Sequence, residues 1–131
     1  MIVVLDTTAA IEIILNKKDS KKFKNIIIEA DTVIAPELYI SEITNVAWKY
    51  NKISNFGHEE YYSLADDGIS LIDQFIETKF LWKEALREAM NNDQTVYDCL
   101  YLICARRNDG ILLTKDQKLK KLCRKLKIEV L

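Results

Sequence analysis

Apolar residues alternate along the chain between short unbroken runs and longer stretches in which they recur every three or four positions. The opening run "MIVVLD" is continuous and β-branched, which predicts a strand buried on both faces inside a parallel sheet. "TTAAIEIILN" follows with a hydroxyl cap and helical spacing, and "SKKFKNIIIEA" predicts a second helix opening at Ser20. "DTVIAP" predicts a second strand ended by Pro36. After it, Leu38, Ile43, Val46, Ala47 and Tyr50 mark a long amphipathic helix in "ELYISEITNVAWKYNK". "SNFGHEEYYSLADDG" is expected to form a turn and a helix closing at Gly68, "ISLI" a third strand, and "FIETKFLWKEALREAMNN" a further helix. The last third predicts a helix in "TVYDCLYLICARRND" stopped by Gly110, a fourth strand "ILLT", a basic helix "DQKLKKLCRKL" and an edge strand "IEV".

Strands separated by helices imply right-handed crossovers, and hence an α/β fold: an α/β/α sandwich around a mostly parallel sheet of about four to five strands. With 131 residues, 49% of them hydrophobic, the chain can bury a sizeable core, and one domain over residues 1–131 is expected. Three glycines and one proline leave no room for linkers or for a glycine-rich phosphate loop. No apolar segment approaches the roughly 20 residues a bilayer requires, so no membrane association is expected. Cys99, Cys104 and Cys123 lack paired spacing and sit in apolar helical surroundings, where a thiol acts as a small hydrophobe; a reducing cytoplasm suits them.

Charge is segregated: the formal total is −1, yet residues 106 to 127 hold nine Lys or Arg against Asp109 and Asp116. Such a segment is either a solvated helix face or a surface for a polyanion.

In open α/β sheets the ligand lies beyond the carboxyl ends of the strands. Asp6 ends the first strand, and Asp116 follows the fourth with only Lys115 between. Asp98 shares a helix face with Tyr101 and Leu102, and Glu42 lies early in its helix between Leu38 and Val46 at four-residue spacing. Each acid also has a local explanation. Asp6 and Asp116 are placed to cap helices, Thr95 and Asp98 fit a capping box, and Glu42 fits a part-exposed helix surface. If the four converge, each like-charge pair at about 4 Å costs on the order of 4 kcal/mol at an effective dielectric near 20. A divalent cation would offset that repulsion, and carboxylate oxygens without His or Cys favour Mg²⁺ or Mn²⁺ over zinc. His58 is the sole histidine and stands in a polar stretch, which disfavours histidine-based hydrolysis.

The segments "VVLDTTAAI", "APELYISEITNVAWKY", "TVYDCLYLICARRND" and "LLTKDQKL", in that order over nearly the whole chain, resemble PIN domain nucleases, in particular the VapC-type toxins of type II toxin–antitoxin systems. The resemblance implies that Asp6, Glu42, Asp98 and the more variable Asp116 are metal-binding catalytic carboxylates, supported by the hydroxyls of Thr8 and Thr114. It also implies a metal-dependent ribonuclease leaving a 5′-phosphate and a 3′-hydroxyl, with a cognate antitoxin protein and a homodimer as partners. Arg106, Arg107, Lys115 and Lys118 are candidates for holding RNA phosphates. Phe75, Phe80, Trp82, Tyr61 and Tyr62 are candidates for an apolar groove, although most are expected in the core. A haloacid-dehalogenase-like phosphatase would need a second Asp where this chain has Thr8. A PIN-like module that binds without cutting, and a housekeeping RNA-processing nuclease, remain alternatives.

Overall fold

The computed structural model describes residues 1–53 and 57–131, the side chain of His58 excepted. Its elements in order are β1 (Ile2–Leu5), α1 (Thr7–Ile14), α2 (Ser20–Glu29), β2 (Thr32–Pro36), α3 (Leu38–Ile53), α4 (His58–Ser70), β3 (Gln74–Ile76), a single 3-10 turn (Thr78–Phe80), α5 (Trp82–Asn92), α6 (Val96–Asn108), β4 (Ile111–Leu113) and α7 (Gln117–Lys125). The turn expected at Ser54, Asn55 and Phe56 lies outside the described residues.

The four strands form one parallel sheet in the order β3-β2-β1-β4, flanked by helices as an α/β/α sandwich. Val3 pairs with Val33 on one side and with Ile111 on the other, which makes β1 a central strand. Val3, Val4 and Leu5 are all fully buried, as their continuous apolar run predicts. Helix α6 crosses β1, β2 and β4 with α5 packed against it, while α1, α3 and α4 pack on one another. At Gly68 a Cβ would stand 2.6 Å from Ile43 Cγ1, so glycine is what lets α3 and α4 approach this closely. The Tyr39 hydroxyl donates to the Gly68 carbonyl at 2.6 Å across the same contact.

Two expectations about strands need correction. Residues 69 and 70 of "ISLI" finish α4, Leu71 is its C-cap, and the third strand is Gln74–Ile76, whose Phe75 and Ile76 open the segment "FIETKFLWKEALREAMNN" expected as a helix. A short apolar run is ambiguous between strand and helix end, and pairing with a neighbour decides it. Here Asp73 fixes the register: its N–H donates to the Val33 carbonyl and its carboxylate accepts from the Val33 N–H, both at 2.8 Å, so pairing begins with Gln74 beside Ile34. The expected edge strand "IEV" is a single parallel bridge between Leu112 and Val130.

Cys99, Cys104 and Cys123 are free and buried among apolar side chains, and burial pushes their thiols up to about 11, 12 and 12, so they ionise little near neutrality. Among the described residues no helix is long and apolar enough to cross a membrane.

The parallel arrangement sends the carboxyl ends of β1, β2 and β4 to one edge of the sheet. Because α6 feeds β4 through Gly110, its N-terminus returns to that same edge. Asp6, the first turns of α3 and α6, and Thr114 through Asp116 therefore share one rim of the molecule.

Candidate active site

Asp6 follows directly on β1 and is the N-cap of α1. It is 5% exposed, and its N–H donates to the Leu113 carbonyl of β4 at 3.1 Å. Its Oδ1 accepts from the Ala9 N–H at 3.0 Å and from the Thr8 hydroxyl at 2.7 Å, and its Oδ2 accepts from the Thr114 hydroxyl. Burial outweighs these hydrogen bonds and pushes the carboxyl up to about 6, with the charge of Glu42 adding in the same direction.

Glu42 stands in the second turn of α3, where the crossover from β2 delivers it to the rim. Its Oε1 accepts from the Tyr101 hydroxyl of α6 at 2.5 Å and from the Thr7 hydroxyl at 3.4 Å. Burial also holds this carboxyl above its usual range; the Tyr101 hydrogen bond opposes the rise, and the charge of Asp98 adds to it. Asp98 sits in the first turn of α6. Its N–H donates to the Thr95 hydroxyl at 3.2 Å, completing half of the expected capping box. Its carboxylate does not return to Thr95: Oδ2 accepts from Gln94 Nε2 at 2.6 Å.

Asp116 is the N-cap of α7, accepting from the Leu119 N–H at 3.1 Å. Its own N–H donates to the Thr114 hydroxyl at 3.0 Å. That hydroxyl, fully buried, thus spans from Asp116 to Asp6, and Thr8 takes part from the other side by accepting from the Lys115 N–H at 2.8 Å.

Among the described residues no Lys or Arg forms an ion pair with Asp6, Glu42, Asp98 or Asp116. Asp6, Glu42 and Asp98 form a chain of mutually repelling charges, partly relieved by hydroxyl and amide donors. Glu42 Oε2 and Asp98 Oδ1 accept no hydrogen bond from the described residues. As the side chains stand, no three of the described His, Cys, Asp or Glu residues form a ready metal cage. The donor set nonetheless suits a hard divalent cation: all oxygen, with Asp6 buried and Glu42, Asp98 and Asp116 part-exposed, and without a counter-charge among the described residues.

The basic candidates divide. Lys115 is ion-paired with Asp19, and its Nζ stands 3.9 Å from Glu12. Lys118 Nζ donates to the Asp93 carbonyl at 3.3 Å, in the turn just before Gln94 and Asp98. Arg106 and Arg107 are not brought to the acids. They lie in the last turn of α6, eight and nine residues beyond Asp98 and about 12 Å along the axis, and they pair with Glu84 and Glu88 of α5.

Three supporting residues escape a sequence reading of the site. Gln94 lies in a polar stretch with no periodic signal, Thr7 is overshadowed by the capping role of its neighbours, and Tyr101 reads as core.

A family model of the PIN domain matches residues 3–125. The chain belongs to the PIN domain family. This PIN domain superposes on the crystal structure of PAE2754 from Pyrobaculum aerophilum with a TM-score of 0.73 at 21% identity, covering 92% of this chain and 78% of that one. It also superposes on the crystal structure of VapBC2 from Rickettsia felis bound to a DNA fragment from their promoter. There the TM-score is 0.69 at 18% identity, covering 100% of this chain and 98% of that chain. Likeness at these identities establishes the fold alone. No curated protein sequence matches the chain. PIN domains are generally nucleases, which supports a hydrolase acting on nucleic acid here.

Proposed function

We propose that this PIN domain is a metal-dependent ribonuclease and the toxin of a toxin–antitoxin pair, with Asp6, Glu42, Asp98 and Asp116 as its catalytic carboxylates. The observation that carries this reading is the buried Asp6, at the carboxyl end of a central strand, electrostatically coupled to Glu42 and through it to Asp98, with no cation paired to them among the described residues. Asp6, Glu42 and Asp98 would hold Mg²⁺ or Mn²⁺, with Asp116 beside them. What the ion supplies when bound is a lowered pKa for water and compensation of the charge on a phosphodiester.

The chain's own side chains supply order. Thr8, Thr114 and the Ala9 N–H fix both oxygens of Asp6, Tyr101 fixes Glu42, and Gln94 fixes Asp98. Oxygens held in this way lose little further freedom when a ligand arrives. Lys118, at the rim, would meet phosphates of the RNA strand, whereas Lys115 is engaged by Asp19.

The toxin assignment is supported by the likeness to a VapBC2 structure and by a groove between α3 and α4 that could seat an antitoxin segment, lined by Thr44, Ala47, Trp48, Tyr61, Tyr62 and Ala65. Phe75 instead packs toward the core, its ring 6.1 Å from that of Tyr39. Exposed Phe80 and Trp82 are available for contact with a second copy in a homodimer. Three buried free thiols are compatible with a cytoplasmic site of action.

The test is cleavage of structured RNA with Mn²⁺ or Mg²⁺ by the wild type and by Asp98→Asn. The reading predicts metal-dependent cleavage that the variant loses by at least a hundredfold. A wild type that cuts no RNA with either metal, or a variant that cuts equally well, overturns it and leaves a binding module.

A further inference from the structure

The excess of positive charge in the last quarter of the chain is not uniformly available. Arg106 and Arg107 are occupied by Glu84 and Glu88, and Lys115 by Asp19. Lys118, Lys121 and Lys125 are exposed and form no ion pair among the described residues. At positions i, i+3 and i+7 of α7 they share one face, spanning about 10 Å along the helix axis.

That face lines a groove of about 410 Å³ together with Asn92, Gln94 and Leu122. The groove adjoins the acidic site at two points. Gln94 lines it and also donates to Asp98, while Lys118 lies two residues beyond Asp116 on the same helix start. Its polar contacts are neutral: Lys118 Nζ donates to the Asp93 carbonyl, and Lys125 Nζ donates to Asn92 Oδ1 at 3.0 Å. Two acids are each one hydrogen bond from a lining side chain: Asp98 through Gln94 at 2.6 Å, and Glu88, whose Oε2 accepts from Asn92 Nδ2 at 3.0 Å while its Oε1 is paired with Arg106 at 2.8 Å. Glu88 is thus part-neutralised by Arg106 and forms no ion pair with Lys118, Lys121 or Lys125 among the described residues.

We propose that this groove seats the phosphate backbone of single-stranded RNA on the Asp98 and Asp116 side of the scissile bond, with Lys118, Lys121 and Lys125 as its phosphate contacts. The inference rests on the nuclease reading for the meaning of that side. Charge complementarity selects the occupant: three exposed ammonium groups in a row match a strand that carries a negative charge at every nucleotide, and they bring no base-reading geometry. Binding here would bring the strand to the rim without placing cations among the metal-binding oxygens.

The experiment is fluorescence anisotropy of a labelled single-stranded oligoribonucleotide across a salt series, in EDTA so that metal-dependent cleavage does not intervene. It compares the full chain with the triple variant Lys118→Gln, Lys121→Gln, Lys125→Gln and a charge-matched control, Lys49→Gln, Lys52→Gln, Lys79→Gln. Each lost phosphate contact lowers the slope of log K against log salt by about 0.7, so the triple variant is expected to lose about 2 from the slope and at least tenfold in affinity at low salt. The control should keep the wild-type slope. If the triple variant does not fold by circular dichroism, Lys121→Gln alone should lower the slope by about 0.7. Wild-type slope in the variants, an equal loss in the control, or no binding by the wild type overturns the proposal. Binding that behaves as expected in a protein that never cuts RNA would retain the groove and reject the nuclease.

Discussion

Tyr101 of α6 donates its phenolic hydrogen to Glu42 Oε1 of α3 at 2.5 Å, joining two helices that enter the rim from separate crossovers. Thr7 stands within hydrogen-bonding reach of both, 3.3 Å from the Tyr101 hydroxyl and 3.4 Å from Glu42 Oε1. The contact opposes the upward push of burial on Glu42. Tyr101→Phe removes it and should raise the Glu42 pKa further, moving the acid limb of the cleavage–pH profile to higher pH. Leaving a part-buried carboxylate oxygen short of its donor should also cost about 1–3 kcal/mol in denaturant unfolding at neutral pH. An unchanged profile would mean that Glu42 does not titrate in the reaction.

Asp6 allows a prediction with a definite sign. Its carboxyl is raised from the usual 3.8 to about 6, so the folded state takes up a proton more readily than the unfolded state does. The stability associated with neutral Asp6 is fully present below about pH 4 and is lost as pH rises through 6, an amount on the order of 3 kcal/mol. Asp6→Asn keeps a good cap residue and removes the buried charge. Without metal it should melt above the wild type at pH 7.5, with the difference closing toward pH 4. Added Mn²⁺ should raise the melting temperature of the wild type and leave Asp6→Asn unmoved.

Thr114 is the hydroxyl between Asp6 and Asp116, and its bond to Asp6 lowers a carboxyl that burial raises. Thr114→Val keeps the volume and removes both bonds. Cleavage should then require a higher pH than in the wild type, and unfolding should show a loss of about 1–3 kcal/mol. A pH series of initial rates beside a denaturant titration measures both.

Asp116 has two separable roles. Asp116→Ala should cost about 1 kcal/mol from the lost α7 cap, whereas Asp116→Asn should keep that stability. If Asp116 also serves the reaction, both substitutions lower cleavage, and the Asn variant does so at wild-type thermal stability. Cleavage by Asp116→Asn at the wild-type rate would leave only the cap.

Much of this was legible in the sequence where the signal is local. Continuous apolar runs gave β1, β2 and β4, three- and four-residue spacing gave the helices, and the ends of β1 and β4 gave Asp6 and Asp116. β3 is not legible locally, because its identity depends on Asp73 meeting Val33, forty residues away. The same limit hid the partners of the arginines: nothing near Arg106 in sequence announces Glu84 and Glu88 on the preceding helix. Gln94 gives no signal, because a side-chain amide that orients an acid four residues away has no periodic signature.

Asp6, Glu42 and Asp98 are expected to converge on a divalent ion when one is supplied. Anomalous diffraction from crystals grown with Mn²⁺ measures this directly. A peak is expected about 2.0–2.2 Å from oxygens of Asp6 and Asp98, with Glu42 bound directly or through water. No peak at saturating Mn²⁺, or one held by other residues while these three keep their hydrogen bonds to Thr114, Tyr101 and Gln94, would contradict it.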